Sequence, residues 1–184
     1  MPEAAPRPSI VLHGFTGGIA GSADIALRVA QVVLEGLLGQ RELSAYLPLQ
    51  AQDRADTWSI SCAVGGDAGI CNIDIRKLDG AVLATGVARQ EQLLPNATIV
   101  EKLAAILAES AGGAAEPGRQ EPFAVTDNGD TWLVRGSYNL DRSVEGKGPL
   151  HLEIRKRDAA VLDMCFEGVM HLPPEVKALL REAK

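Results

Sequence analysis

Apolar residues with helical spacing form two stripes along the chain. From Ile25 they recur at i, i+4, i+7, i+8 and i+12, and from Ile99 they recur at i, i+4, i+7 and i+8. This spacing predicts two amphipathic helices, each with one apolar face to bury. Residues that can cap a helix stand at both beginnings, and a pair of glycines ends the second stripe. The candidate caps are Ser22 or Asp24 and Asn96 or Thr98, and the glycines are Gly112 and Gly113.

Apolar and polar residues alternate in two further segments, each of which follows a helix. Trp58, Ile60 and Cys62 alternate with polar residues, and so do Trp132 and Val134. Period-two alternation with one apolar face predicts half-buried antiparallel strands. Three more strands are predicted in each half: near residues 46–52, through 71–75 and near 81–87 in the first, and near 120–126, through 150–154 and near 160–167 in the second. Asp127-Asn128-Gly129 predicts a hairpin turn.

The two segments also match each other in sequence. Subtracting 74 from the second aligns Asp130-Thr131-Trp132 on Asp56-Thr57-Trp58, and after a change in loop length an offset of 79 aligns Ile154-Arg155-Lys156 on Ile75-Arg76-Lys77. A match at a fixed spacing predicts an internal duplication. We therefore predict an α+β fold of two repeated helix-plus-antiparallel-meander units, with the helices packed on curled antiparallel sheet.

Unit boundaries follow from this alignment. We predict a flexible leader over residues 1–21, proline-rich over residues 1–8, a first α+β unit over 22–95, a second over 96–172 and a short C-terminal helix over 173–184. Prolines directly before an acidic first turn are the reason for expecting the last helix. Each unit is close to the lower size limit for folding alone, so the two are expected to pack together.

The charge of the chain narrows the classes of partner. The net charge of the 184 residues is −6, and acidic residues outnumber basic ones in both halves. No basic face is left for a phosphate backbone, which argues against nucleic-acid binding. An acidic surface suits a basic protein partner, and mild acidity also keeps many proteins in solution.

The cysteines, histidines and termini predict a cytoplasmic protein without cofactor or metal. The three cysteines, Cys62, Cys71 and Cys165, are an odd number without CxxC spacing, which favours free thiols in a reducing compartment. His13, His151 and His171 are scattered and form no metal-binding spacing. The chain begins without the basic region and long apolar run of a secretory signal, and no segment is apolar enough to span a membrane.

The second unit carries a set of short motifs. They are Gln120-x-Pro122-Phe123, Gly129-Asp130-x-Trp132 with Gly136, and Ile154-x-Lys156-x-Asp158 followed by Val161-Leu162. This pattern resembles the bacterial immunity proteins of the nuclear-transport-factor-2-like, or cystatin-like, fold. With its helix the resemblance covers about half of the chain, and the first unit extends it in weaker form. The chain departs from the pattern at Ala159 and Ala55, where the family has glycine.

The resemblance implies a function. Such a protein binds and inhibits a cognate bacterial toxin, for example a nuclease that acts in the cytoplasm after delivery by a contact-dependent or type VI secretion system. The resemblance implies a protein that is not an enzyme. One alternative is a small-molecule-binding or ketosteroid-isomerase-like protein of the same fold, for which Tyr46 and Tyr138 are the available tyrosines. A purely structural or dimerisation module, including a homodimer, is a further alternative. A deep apolar pocket with a buried carboxylate would favour the enzyme.

Two regions are candidates for binding the partner. The loop from Ser137 to Pro149 is five residues longer than its counterpart from Ala63 to Ile70, and extra length in a loop is free for function. Alternation also places His151, Glu153 and Arg155 on one strand face, where they are either solvated cross-strand charges or a partner-facing patch. The candidate partner-binding residues are Tyr138, Asp141, Arg142 and Glu145 in the longer loop and Asp67 in the shorter one, while Trp58 and Trp132 are assigned to the core.

Overall fold

The computed structural model describes residues 18–62, 72–86, 93–137 and 148–167. These residues form an α+β fold with two separate four-stranded antiparallel sheets, in the orders β1-β2-β3-β4 and β5-β6-β7-β8. The predicted α+β class and antiparallel sheets are confirmed. The elements of the first half are α1 (Ala23–Leu38), α2 (Gln40–Leu43), a 3-10 turn (Ser44–Tyr46), β1 (Leu49–Arg54), β2 (Thr57–Cys62), β3 (Ile73–Arg76) and β4 (Val82–Thr85). Those of the second half are α3 (Ala97–Gly112), α4 (Glu116–Gln120), β5 (Ala124–Asn128), β6 (Thr131–Arg135), β7 (Leu150–Arg155) and β8 (Val161–Phe166).

Both long helices begin, and α3 also ends, where the sequence predicts. The Ser22 hydroxyl accepts a hydrogen bond from the Ile25 amide at 3.3 Å, and the Asn96 side chain accepts one from the Ile99 amide at 3.1 Å. Gly113 follows the last residue of α3 with a φ of 91°, a backbone conformation that favours glycine. The apolar stripe of α1 packs on β1, β2 and β3, that of α3 on β5 and β6, and the helices also pack on each other.

The predicted first strand of each half is wrong at its beginning. Strand β1 starts at Leu49 and β5 at Ala124, three and four residues later than predicted. In the first half the Ser44 hydroxyl bonds the Arg41 carbonyl at 2.7 Å inside a short helical segment. In the second half Pro117 stands in the first turn of α4, where its missing N–H costs nothing. The hydrogen bond in the first half and the proline in the second both favour a helical turn over extended chain.

Both tryptophans are buried and have the same surroundings. The Trp58 Nε1 donates to the Ala20 carbonyl at 2.8 Å, and the Trp132 Nε1 donates to the Leu94 carbonyl at 3.0 Å. A lysine ammonium lies over each ring, 4.7 Å from the centroid in the first half and 4.5 Å in the second. Each tryptophan therefore combines apolar burial, a hydrogen bond and a cation–π contact. The two lysines, Lys77 and Lys156, also form ion pairs with Asp53 and Asp127.

Reciprocal hydrogen bonds and ion pairs join the two halves: each half supplies a donor to the other. The Val82 amide donates to the Asp158 carbonyl at 2.8 Å, and the Val161 amide donates to the Asp79 carbonyl at 2.9 Å. Between the long helices, Arg28 pairs with Glu109 at 2.7 Å and Lys102 with Glu35 at 2.5 Å. Reciprocal exchange of this kind is the pattern of a two-fold symmetric dimer. Buried residues of both halves belong to one hydrophobic cluster.

The described part of the first half begins inside the predicted leader. Ile19 and Ala20 are fully buried, and their amides bond the carbonyls of Leu78 and Lys77 at 3.0 Å each. At the corresponding positions of the second half, the amides of Leu93 and Leu94 both bond the Lys156 carbonyl, at 2.9 and 3.1 Å. In each half, a short segment before the long helix thus lies over the tryptophan and accepts its hydrogen bond. Residues 1–17 and the predicted helix at 173–184 lie outside the described residues.

Candidate functional site

Alternation along the strands gives the second sheet an inner and an outer face. The inner face carries Trp132, Val134, Leu152 and Ile154 and is buried against α3 and the rest of the core. The outer face holds an open depression of about 330 Å³. We define the second outer face as the side chains that point away from the core in this depression. They are Ala124, Thr126, Leu133, Arg135, His151, Glu153 and Asp163.

Three charged or titratable side chains meet at one end of this face. Glu167 Oε1 accepts a hydrogen bond from Arg135 Nη2 at 2.8 Å and lies 2.6 Å from His151 Nε2. Arg135 and His151 are cross-strand neighbours in β6 and β7. The hydrogen bond from His151 and the positive charge of Arg135 hold the pKa of Glu167 below its usual value. We call Arg135, His151 and Glu167 the charged cluster.

An exposed leucine with acidic neighbours forms the centre of the face. The Leu133 side chain is 39% exposed, and Glu153 lies directly beside it on β7. Asp163 on β8 lies directly opposite Glu153, so two carboxylates face each other across the sheet. Glu153 accepts a hydrogen bond from the Thr131 hydroxyl at 2.9 Å. An apolar centre with a polar and charged rim is one arrangement that protein contact surfaces use.

The first sheet presents a different surface at the same positions. Subtracting 74 or 79 places Ser59 where Leu133 stands, Ser61 where Arg135 stands and Ala84 where Asp163 stands. In β1 and β2 the paired side chains are glutamines and serines. Of the seven corresponding positions, one is charged in the first sheet and three in the second, where His151 is a fourth titratable side chain. The seven are Gln50, Gln52, Ser59, Ser61, Asn72, Asp74 and Ala84.

The partner-binding residues predicted in the loops lie outside the described residues. They are Tyr138, Asp141, Arg142, Glu145 and Asp67, and their predicted role stays a prediction. The described chain ends at Ser137 and resumes at Gly148. Both points lie at the end of the sheet that carries the charged cluster, because Arg135 precedes Ser137 by two residues and His151 follows Gly148 by three.

Sequence reasoning found part of the second outer face. The prediction that His151, Glu153 and Arg155 share one side of a strand is confirmed by the register of β6 and β7. Arg155, however, makes two hydrogen bonds to Asp158, at 2.8 and 2.7 Å, and so belongs to the turn. Leu133, Arg135, Asp163 and Glu167 were missed. The same alternation would have found Leu133 and Arg135, whose neighbours Trp132 and Val134 point inward.

Two buried carboxylates bear on the enzyme alternative. The Asp79 side chain binds Arg76 at 2.8 and 2.6 Å and accepts from the Ala81 amide at 3.1 Å. The Glu116 side chain accepts from Gln120 at 2.8 Å and lies 3.4 Å from Arg119. Both are thus held by neighbours within the fold. In the described ranges, no group of three potential ligand side chains is arranged to hold a metal ion.

No protein-family profile, curated protein sequence or solved structure matches the chain. Within the described part of the chain, no helix has both the length and the apolar character needed to cross a bilayer. The geometry of the second outer face is therefore the basis for a functional argument.

Proposed function

We propose that the chain is an immunity protein that binds and inhibits a cognate bacterial toxin through the second outer face. The difference between two matched sheets carries this proposal. Both sheets have the same strand order and the same tryptophan contacts, and each has an exposed leucine, Leu83 in the first and Leu133 in the second. Among the described residues, the charged cluster occurs in the second sheet alone. Folding needs the shared features. The features that occur in one sheet alone are available for binding.

We infer further that the two halves arose by internal duplication of a nuclear-transport-factor-2-like unit. Equivalent hydrogen bonds at the tryptophans and reciprocal bonds between the halves support this inference. A doubled scaffold gives a small unit the buried area that it lacks alone. It also leaves one sheet free to change its outer side chains while the other keeps the fold stable.

The charges favour a basic partner. The net charge of −6 attracts a positively charged protein, and Glu153 and Asp163 add two facing carboxylates beside Leu133. Nuclease domains that act on nucleic acid are often basic, so a cytoplasm-acting nuclease delivered by a contact-dependent or type VI secretion system fits. Inhibition then consists of covering the toxin's active site, with neither catalysis nor a cofactor on this chain.

The first experiment identifies the toxin. The product of the neighbouring gene is co-expressed with this protein, the complex is isolated, and the activity of that product is assayed with and without this protein. We expect a stable complex and loss of activity. Association should slow as salt is raised, because screening weakens the attraction between opposite charges. A non-toxic neighbour, or toxicity that persists when this protein is co-expressed, would refute the immunity function.

A further inference from the structure

A buried glutamine ties together the strand ends that carry the charged cluster. Gln120, at the end of α4, is 3% exposed. Its side-chain oxygen accepts from the Leu150 amide at 2.8 Å, and its side-chain nitrogen donates to the Gly148 carbonyl at 3.2 Å. Its own carbonyl accepts from the Ser137 amide at 2.6 Å. One residue therefore bonds both the end of β6 and the beginning of β7.

The surroundings of Gln120 are shaped to hold its amide group in this place. Glu116 Oε1 accepts a second hydrogen bond from the amide nitrogen, at 2.8 Å, which fixes which way the amide faces. A side chain on Gly136 would overlap Gln120 Oε1, and a side chain on Gly112 would overlap Glu116. Two glycines thus provide the space that Gln120 and Glu116 occupy. A buried amide with its bonds satisfied in this manner is costly to disturb.

The bonds of Gln120 lead directly to the charged cluster. Arg135 is the neighbour of Gly136, whose amide donates to the Leu150 carbonyl at 2.8 Å. His151 is the neighbour of Leu150. The backbone of Glu167 bonds Gly148 and Pro149, each at 2.9 Å. His151 is therefore next to a residue that bonds Gln120, and Glu167 bonds Gly148, which also bonds Gln120. Arg135 is one step further away, because its neighbour Gly136 bonds Leu150.

The first half lacks both features at the corresponding positions. Tyr46 stands where Gln120 stands, and Cys62 stands where Gly136 stands, so neither the amide nor the space for it is present. Ser61 and Asn72 stand where Arg135 and His151 stand. The buried amide and the charged cluster thus occur together in one half and are replaced together in the other.

We propose that Gln120 is a positioning residue that sets the spacing of Arg135, His151 and Glu167 and so the form of the face that the partner meets. Gln120 touches no partner, because it is buried beneath the strand ends. The positioning role is independent of the partner's identity. Only its consequence for binding rests on the proposed function.

The test compares Gln120→Met, which keeps the volume but loses the amide bonds, with Tyr46→Phe at the matched position. Carboxyl-carbon NMR titration measures the pKa of Glu167 in each folded protein. We expect the pKa in Gln120→Met to rise toward that of a His151→Gln protein, because misaligned partners no longer stabilise the carboxylate. The pKa should be unchanged in Tyr46→Phe. Loss of stability alone would lower the melting temperature of Gln120→Met without moving this pKa, and that outcome would overturn the proposal.

Amide hydrogen exchange of the native protein tests the same role without a variant, in case Gln120→Met does not fold. The Leu150 and Ser137 amides should exchange with solvent at least about a hundredfold more slowly than an unprotected amide, since both bond Gln120. Exchange at the unprotected rate would overturn the positioning role. With the toxin in hand, Gln120→Met should weaken binding about tenfold. If the pKa of Glu167 moves and binding does not, Gln120 still positions the cluster, and the placement of the toxin on this face is refuted.

Discussion

The core contacts of the two halves are alike, whereas their outer faces are not. Trp58 and Trp132 donate to carbonyls that each lie 38 residues earlier, and each ring carries a lysine. On the other side of the same strands, Ser59 faces solvent in one sheet and Leu133 in the other. Residues that hold a helix on a sheet are constrained by packing, and residues on the far side are not. The differences therefore locate the part of the molecule that is free to serve a partner.

Removal of either tryptophan tests the likeness most strongly. Trp58→Ala and Trp132→Ala should each lower the free energy of unfolding by about 3–5 kcal/mol, because each deletes a large buried ring and its hydrogen bond. Denaturant unfolding measures the loss, and the remaining tryptophan reports on the other half by fluorescence. A variant whose remaining tryptophan unfolds at a clearly higher denaturant concentration than its circular dichroism signal would show that the halves unfold separately, against the shared core.

The matched arginine–aspartate turns should differ in how much they contribute to stability. Arg76 binds Asp79 and Arg155 binds Asp158 with two hydrogen bonds each. The Asp79 side chain is 4% exposed and the Asp158 side chain 23%. Replacement of the aspartate by alanine removes two hydrogen bonds from a half-buried arginine, at a cost of about 1–3 kcal/mol, and Asp79→Ala should cost more than Asp158→Ala because Asp79 is the more buried partner. Thermal unfolding of the two proteins in parallel decides this. The reverse order would contradict the ranking by burial.

One turn position holds alanine in the first half and glycine in the second. Ala55 has a φ of 24° and its counterpart Gly129 a φ of 71°, both in the region that disfavours a side chain. No atom lies within 4 Å of a side chain added at Gly129, so Gly129→Ala should cost about 1 kcal/mol through backbone strain alone. Ala55→Gly serves as the matched control and should show no comparable loss. Chemical unfolding measures both, and an equal loss in the two proteins would refute the assignment to strain.

The ion pairs between the long helices should give the smallest effect. Arg28 holds the pKa of Glu109 below its usual value through a hydrogen bond. The stabilisation is present above the unfolded pKa of about 4.3 and is lost as pH falls through the lower folded pKa. Unfolding measured from pH 6 to pH 3 should therefore show a shallower loss in Arg28→Met than in the native protein. Identical slopes would mean that this pair does not contribute.

The sequence predicted the helices and the strand alternation because both depend on local periodicity. It could not predict the register shift after Glu153, which brings Ile154 opposite Val161. Nor could it predict that Glu167 would reach both Arg135 and His151, since these contacts span 32 and 16 residues. The role of Gln120 was hidden for another reason: as part of a family-like motif it predicted only a strand. Its bonds to Gly148 and Leu150 depend on how the chain returns after β6.

Paired surface variants test the central claim most directly. Leu133→Asp and Ser59→Asp place the same charge at matched exposed or half-exposed positions of the two sheets. Binding of each variant to the proposed toxin partner is measured by calorimetry, after circular dichroism has shown that both fold. The account predicts that Leu133→Asp raises Kd at least about tenfold, about 1.4 kcal/mol, while Ser59→Asp leaves it unchanged. Equal Kd values for the two variants, or a larger effect of Ser59→Asp, would contradict it.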